Sequence, residues 1–278
     1  MPEGPEIHLV ADKLAKAIAG RRAERVRFGL ERLEPYEGEL TGRRILGVEA
    51  HGKALLTRFE GDRTLYSHNQ LYGRWYVCKP GRPPKTGRSL RVAIETADQW
   101  ALLYSASEIE VLHADEVPYH PFLASLGPDL LHKKTTPALI RKRLRSRRFE
   151  RRALGSLLLD QHFLAGVGNY LRSEILFFSG LRPDARPKDL SDDEIQRLAA
   201  TARTITKRSY RTRGVTEEAD YAAQAKREGE PRRHWRHAVF ARDGHPCRRC
   251  EASVRRVTSA GRRLYFCSVC QPELATRP

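Results

Sequence analysis

LLLDQHFLAGVGNYLRSEILFF, residues 157–178, takes in most of two apolar helical stretches, 153–162 and 169–178, folded back on each other by a short glycine-bearing turn. Gly166 and Gly168 allow a tight turn and close backbone approach. Asn169 then stands where the second helix begins, beside first-turn amides that can receive a phosphate oxygen. An ordinary helical hairpin with Asn169 as its N-cap fits the same letters. What surrounds the hairpin decides between the two.

Just upstream, RKRLRSRRFERR at 141–152 carries eight basic residues and one acidic. Alone, such a run is as easily a solvated helix face as a polyanion-binding one. The whole chain leans toward the second. Its 278 residues hold 51 Lys plus Arg against 34 Asp plus Glu, a formal charge of +17. That excess calls for a polyanionic partner, by long-range attraction and phosphate neutralisation. Hydrophobic residues at 40% supply a core for one large or two modest domains. No apolar run approaches the roughly 18 residues of a membrane span. The first twenty residues include Glu3, Glu6 and Asp12 and lack the apolar stretch of a signal peptide. A cytoplasmic protein is expected, acting at the nucleoid.

Working outward toward the amino terminus, residues 5–19 form an amphipathic helix, with Pro5 in the first turn and Gly20 at its end. From about 23 to 112 the pattern changes to short strands: VRFGL, RRILGVEA, KALLTRFE, TLYSHNQLYGRWYV, SLRVAIET and WALLYS. Six such segments without intervening helices predict an antiparallel sandwich or barrel. HPFLASLGPDLL reads as a linker. Thr136 before Pro137 starts a helix, and SDDE at 191–194 has capping-box spacing. Residues 211–234 read as a charged loop. The expected fold is multidomain α+β. It has an N-terminal β-sandwich domain with its first helix (1–120), a linker (121–134), a helical domain (135–234) and a small C-terminal hairpin module (235–278).

CRRC at 247–250 and CSVC at 267–270 are the strongest short-range signal. Each pair bends into a knuckle, and the sixteen residues between them suffice for a hairpin that joins the knuckles. Four thiolates, Cys247, Cys250, Cys267 and Cys270, suit one structural tetrahedral zinc with no position left for water. Glu251 occupies the position after the second cysteine where many knuckles have glycine. The segment between the pairs carries four arginines, which suits a hairpin tip entering a nucleic-acid groove.

MPEGPE at 1–6, HGKALL at 51–56, SHNQLYG at 67–73, LLLDQHFLAGVGNYLRSEIL at 157–176 and the terminal C-x₂-C-x₁₆-C-x₂-C together resemble the endonuclease VIII branch of the formamidopyrimidine-DNA glycosylase family. The likeness runs over essentially the whole chain. It implies a β-sandwich, a helix–two-turns–helix domain and a zinc finger. It also implies a monomer acting on damaged double-stranded DNA, excising oxidised pyrimidines and then cutting the abasic strand by β,δ-elimination. Met before Pro suits removal of the initiator, and a terminal Pro2 amine, partly neutral near pH 8, would attack C1′ of the damaged nucleotide. By the same resemblance, Glu3 protonates the deoxyribose ring oxygen and Lys53 holds a phosphate beside the lesion. Glu6 caps the first helix. Leu71 is a wedge that fills the hole left by the extruded nucleotide, with Gln70 and Tyr72 supporting it or touching the opposite base. Asn169 and Arg262 grip backbone phosphates.

Two rivals remain. An 8-oxoguanine- and formamidopyrimidine-directed enzyme of the same family is disfavoured by SHNQLYG, and a non-catalytic zinc-ribbon DNA-binding protein has no need of Pro2, Glu3 or Lys53. Residues 215–234 match the family pattern least and bear on lesion preference.

Overall fold

The computed structural model describes residues 2–273; Met1 and residues 274–278, the end of the expected zinc-binding segment, lie outside the described residues. The chain divides into two compact units, one up to Ser125 and one from Leu126.

The first unit opens with α1 (Gly4–Ile18). Its face of Ile7, Ala11, Leu14, Ala17 and Ile18 is buried, as the 3.6-residue period requires. A short α2 (Tyr36–Leu40) follows β1 (Arg25–Phe28). The other strands are β2 (Ile45–His51), β3 (Ala54–Phe59), β4 (Arg63–His68), β5 (Arg74–Cys78), β6 (Leu90–Glu95), β7 (Trp100–Tyr104) and β8 (Glu108–His113). They make two four-stranded sheets, in the orders β1-β6-β7-β5 and β2-β3-β4-β8, antiparallel throughout. Val26, Val92, Ile94 and Leu103 from the first sheet share one core with Ile45, Leu55, Leu65 and Ile109 from the second and with α1. This is the expected sandwich, with two corrections. TLYSHNQLYGRWYV is two strands in different sheets, broken at Asn69–Gly73. EIEVLH forms an eighth strand that the reading missed, because Glu108 and Glu110 on its outward face mask the buried Ile109 and Val111. A helix α3 (Pro121–Ser125) closes the unit.

The second unit is helical, with α4 (Pro137–Leu144), α5 (Leu154–Leu157), α6 (Asn169–Ser179), α7 (Asp192–Arg211), α8 (Ala219–Arg227) and α9 (Arg232–Trp235). The hairpin β9 (Arg255–Ser259) and β10 (Arg262–Phe266) follows. Leu144, Leu157, Phe163, Leu171, Ile175 and Leu198 form its core, which Leu264 and Phe266 of the hairpin join. The first helix of the quoted hairpin is shorter than expected. After α5, Asp160 accepts the His162 amide, and this Asx turn diverts the chain. Residues 211–234 are also not a loop. α8 and α9 lie there around a small cluster of Val215, Ala225 and Trp235, too sparse in apolar letters to show a helical period.

Both helix starts read from sequence are present. Thr136 Oγ1 accepts from the Leu139 amide, and Ser191 and Glu194 form a reciprocal capping box, Ser191 N–H to Glu194 Oε2 at 2.7 Å and Glu194 N–H to Ser191 Oγ at 3.2 Å. Ser191→Ala should therefore cost the second unit about 1 kcal/mol in urea unfolding.

Candidate functional site

The amino terminus is held, not frayed. Glu3 is the N-cap of α1, and its amide donates to Glu6 Oε2 at 3.0 Å. Glu6 thus caps the helix as expected. Glu3 itself is only 4% exposed, so the carboxyl next to Pro2 is withdrawn from bulk water.

Elsewhere in the first unit, one end of the β2-β3-β4-β8 sheet gathers four of the expected residues. His51 pairs with Ala54, leaving Gly52 and Lys53 as a two-residue turn with Gly52 at φ 62°. Gly at this first central position is what a tight hairpin turn favours. Lys53 therefore sits on the turn, 8% exposed, beside the end of β4, where Ala54 pairs with His68. Asn69–Gly73 follows as a tight loop closed by the Gly73 amide on the Asn69 carbonyl at 2.7 Å. A Cβ on Gly73 would lie 2.5 Å from that carbonyl oxygen, so only glycine fits. The loop holds Leu71 and Tyr72 outward, 57% and 66% exposed. Large apolar side chains displayed in this way on a fixed turn suit insertion between bases.

Gln70 behaves differently. It takes a left-handed φ of 49°, and its side-chain amide turns back onto the sheet. Nε2 donates to Glu108 Oε1 at 2.5 Å, and Oε1 accepts from Ser107 Oγ at 2.8 Å. His68 Nδ1 lies 3.2 Å from the Gln70 amide and 3.3 Å from Glu108 Oε2. Burial, with some help from the Lys53 charge, holds the His68 imidazole below its usual range, against the opposing pull of Glu108.

In the second unit Asn169 and Arg262 are joined by a residue the sequence reading passed over. Arg172 lies one helical turn after Asn169 and is fully buried. Its guanidinium donates to Asn169 Oδ1 at 2.8 Å, to the Gly155 carbonyl at 2.8 Å, and to the Ser259 and Arg263 carbonyls at 3.2 and 3.1 Å. Gly168, not Asn169, is the N-cap of α6. With its amide oxygen engaged by Arg172, Asn169 has its NH₂ edge left for an acceptor such as a phosphate oxygen. Arg262 starts β10 directly after the Ala260–Gly261 turn, and its main chain is fixed by the same clamp. The sequence signal for Arg172 is a cation set, with Glu174, among the apolar residues of α6.

Glu174, two residues on, is the opposite pole. Its carboxylate accepts from the amides of Ala238, Val239 and Phe240 at 2.8–2.9 Å and from Thr216 Oγ1 at 2.5 Å. Burial dominates and raises its pKa, against the opposing pull of those four donors. Thr216 Oγ1 also meets His237 Nδ1 at 2.9 Å, and the His237 ring stacks on Tyr170 at 5.0 Å. Burial, then the nearby charges of Arg236, Arg232 and Arg248, hold His237 well below the usual imidazole value of 6.5.

The four cysteine sulfurs converge within 4.8 Å of one another. Cys247 and Cys270 Sγ are 3.8 Å apart, and Cys250 and Cys267 Sγ 3.4 Å. A tetrahedron with bonds of about 2.3 Å to sulfur has edges of about 3.8 Å. The donor set and its size therefore fit a closed metal-thiolate site. The two residues inside the first knuckle are also engaged. Arg248 pairs with Glu217, donates to the His237 carbonyl at 2.9 Å and stacks 4.1 Å over Tyr221. Arg249 bonds Glu218 at 3.2 Å and lies over Phe177 and Phe178. Glu251 adopts a left-handed φ of 62°, the conformation in which glycine is at home.

The sandwich unit and the helical unit each match a domain of one family. The formamidopyrimidine-DNA glycosylase N-terminal domain matches residues 1–107 and the formamidopyrimidine-DNA glycosylase H2TH domain matches residues 126–219, and the chain belongs to that family. Within it, the chain is 46% identical over 271 residues to Endonuclease 8 of Escherichia coli K12, spanning 98% of this chain and 100% of that protein. It is 47% identical over 272 residues to Endonuclease 8 of Salmonella arizonae, with the same coverage. Its fold is similar, with a TM-score of 0.80, 25% identity and coverage of 98% and 100%, to Lactococcus lactis Fpg (MutM) crystallised with DNA containing N7-benzyl-Fapy-dG.

Two outcomes follow. Glu251→Gly relieves left-handed strain and should stabilise the second unit by about 1 kcal/mol after the entropy of the unfolded glycine is counted. Thermal unfolding of metal-loaded protein measures it. His237 contributes stability that is present above about pH 6.5 and lost as pH falls from there toward its depressed folded value, with a slope of at most about 1.4 kcal/mol per pH unit. His237→Phe should flatten the urea-unfolding stability between about pH 7.5 and 5.5 relative to wild type.

Proposed function

We propose that the chain is a bifunctional DNA glycosylase and abasic-site lyase that removes oxidised pyrimidines from duplex DNA. The observation that carries this reading is the capped start of α1, where Glu3, the buried neighbour of Pro2, donates its amide to Glu6. Full-length likeness to Endonuclease 8 proteins and the SHNQLYG loop favour pyrimidine lesions.

Once Met1 is removed, the Pro2 nitrogen lone pair forms a bond to C1′ as the glycosidic bond breaks, and the base leaves with its electron pair and takes up a proton. Glu3 gives a proton to the ring oxygen as the C1′–O4′ bond opens, leaving an iminium. The iminium acidifies the C2′ proton. Its loss expels the 3′ phosphate, and a second elimination expels the 5′ phosphate, leaving a one-nucleotide gap. Lys53 neutralises a phosphate next to the lesion. Leu71 and Tyr72 fill the vacated stack. Asn169, aimed by Arg172, and Arg262 hold backbone phosphates, contacts that position DNA without reading sequence. Cys247, Cys250, Cys267 and Cys270 hold one zinc ion, which braces the hairpin and leaves the chemistry to the side chains. The domains are 1–120, 135–234 and 235–278, joined by a linker at 121–134. The enzyme works as a monomer in the bacterial cytoplasm. Among the described residues no helix is long and apolar enough to cross a membrane.

The test is borohydride trapping on a thymine-glycol duplex. Mature wild-type protein should form a covalent complex, Pro2→Gly should lose most of it, and Glu3→Gln should slow base excision by about 100-fold. Absence of trapping on both thymine-glycol and abasic duplexes removes the lyase reading. A dominant activity on 8-oxoguanine in the same panel transfers the chain to the purine-directed branch.

A further inference from the structure

We infer that the connection from β5 to β6, residues 79–89, is a further DNA-binding element, a track of cations that holds backbone phosphates on one flank of the lesion. The inference deepens the proposed function, because it takes duplex DNA as the partner of the Leu71–Tyr72 loop beside it.

From Arg63 to Ile94 the chain has seven Lys and Arg residues and no Asp or Glu. Three of the seven are occupied within the fold. Arg63 pairs with Glu39, Arg74 lies 5.1 Å over the Tyr76 ring, and Arg91 donates to the Gly29 carbonyl at 3.2 Å. The other four, Lys79, Arg82, Lys85 and Arg88, stand on the connection, and all four are exposed. Among the described residues none of these four has an ion pair. Elsewhere on the surface Arg21, Arg27, Arg58, Arg145 and Arg152 each face a carboxylate. A surface built only for solubility mixes the two signs. A single-sign stretch without carboxylates leaves its cations for a polyanion, whose counterions they displace.

The connection is also shaped. Lys79 and Arg82 close a turn, the Arg82 amide donating to the Lys79 carbonyl at 3.1 Å, with Pro80 and Gly81 between them and Gly81 at φ 70°. Proline followed by a positive φ makes this a type II turn, which brings the Cα atoms of the two cationic residues within about 7 Å. Pro83 and Pro84 stiffen the next stretch, so less chain entropy is lost when it is fixed on a partner. At the far end the Arg88 guanidinium donates to the Tyr72 carbonyl at 2.5 Å, and the Arg88 amide donates to Thr86 Oγ1 at 3.3 Å.

Strand register gives the track its direction. β5 and β6 lie antiparallel to β7 on its two sides, with Cys78 opposite Trp100 and Leu90 opposite Tyr104. The connection therefore leaves one end of the sheet and returns to the other, where Arg74, directly after the Leu71–Tyr72 loop, pairs with the same Tyr104. The strand from Arg74 to Cys78 covers about 14 Å at roughly 3.4 Å per residue. Phosphates of one DNA strand advance by about 3.4 Å along the duplex axis. Cations spread from Arg88 back to Lys79 thus match the backbone of about four nucleotides leading away from the proposed wedge.

Fluorescence anisotropy with labelled duplexes over a salt series tests the assignment. Lys79→Ala, Arg82→Ala and Lys85→Ala combined should reduce the slope of log K against log salt by about 2–3, near 0.9 per lost phosphate contact, and equally for thymine-glycol and undamaged duplexes. The charge-keeping set Lys79→Arg, Arg82→Lys and Lys85→Arg should retain the wild-type slope. Shortening the duplex to fewer than about four base pairs on one side of the lesion should erase the difference between the alanine variant and wild type, and shortening the other side should leave it. An unchanged slope in the alanine variant, an equal loss in the charge-keeping set, or a difference that shrinks equally from both sides each overturn the track. If the slope falls as expected while wild type traps on none of the substrates, the track stands and the glycosylase reading falls.

Discussion

A guanidinium with no access to water organises the helical unit. Burying Arg172 forfeits hydration worth several kcal/mol, and the hydrogen bonds from its two terminal nitrogens offset that loss. Their acceptors come from three places far apart in sequence: Gly155 in α5, Asn169 at the head of α6, and Ser259 and Arg263 in the four-cysteine hairpin. Because the charge tolerates no other arrangement, the three are locked into one geometry. Glu174 repeats the logic with the opposite sign, drawing three successive amides at 238–240 and Thr216 onto the same helix. One helix thus carries two buried charges, each satisfied mostly by backbone. Between them they fix the hairpin on one side and the chain entering the cysteine module on the other.

The sandwich unit solves its positioning problem with turns instead of buried charge. Three tight connections, at Gly52–Lys53, Asn69–Gly73 and Ser105–Ser107, fall at one end of one sheet. Each is short enough that strand register dictates where its side chains go. Lys53, Leu71 and Tyr72 are accurate to the extent that the sheet is rigid, which is an advantage over sites carried on long loops. The start of α1 gains the same benefit from its capping box, since Pro2 and Glu3, both proposed for the chemistry, sit directly before the first helical turn.

Much of this was legible in the letters. The cysteine spacing identified four sulfurs that the fold brings together, Thr136 and the Ser191–Glu194 pair marked helix starts, and short alternating runs gave the sandwich. These succeed because their physics is local, a cap or a pleat being complete within a few residues. The strand at 108–113 escaped because its glutamates face outward on a six-residue element whose buried positions are only two. α8 escaped because Val215, Ala225 and Trp235 pack across a turn and not along one face. Arg172 and Arg248 were harder still. In sequence each is one arginine among many, and nothing nearby distinguishes a cation bound to carbonyls 11 to 91 residues away from one in water. Gln70 was assigned to DNA support on likeness, and its grip on β8 emerges only from the pairing of β4 with β8.

The two arginines inside the first cysteine knuckle carry a consequence for how this chain can change. Positions between metal ligands are often treated as spacers, free to drift so long as the ligands persist. Here Arg248 and Arg249 rivet the segment from Glu217 to Tyr221 to the knuckle. A knuckle borrowed from a relative with other residues between its cysteines would still close around its ion and yet leave that segment unmoored. Inheritance at 248 and 249 is therefore tied to inheritance at 217, 218 and 221, and the metal module is not an interchangeable part.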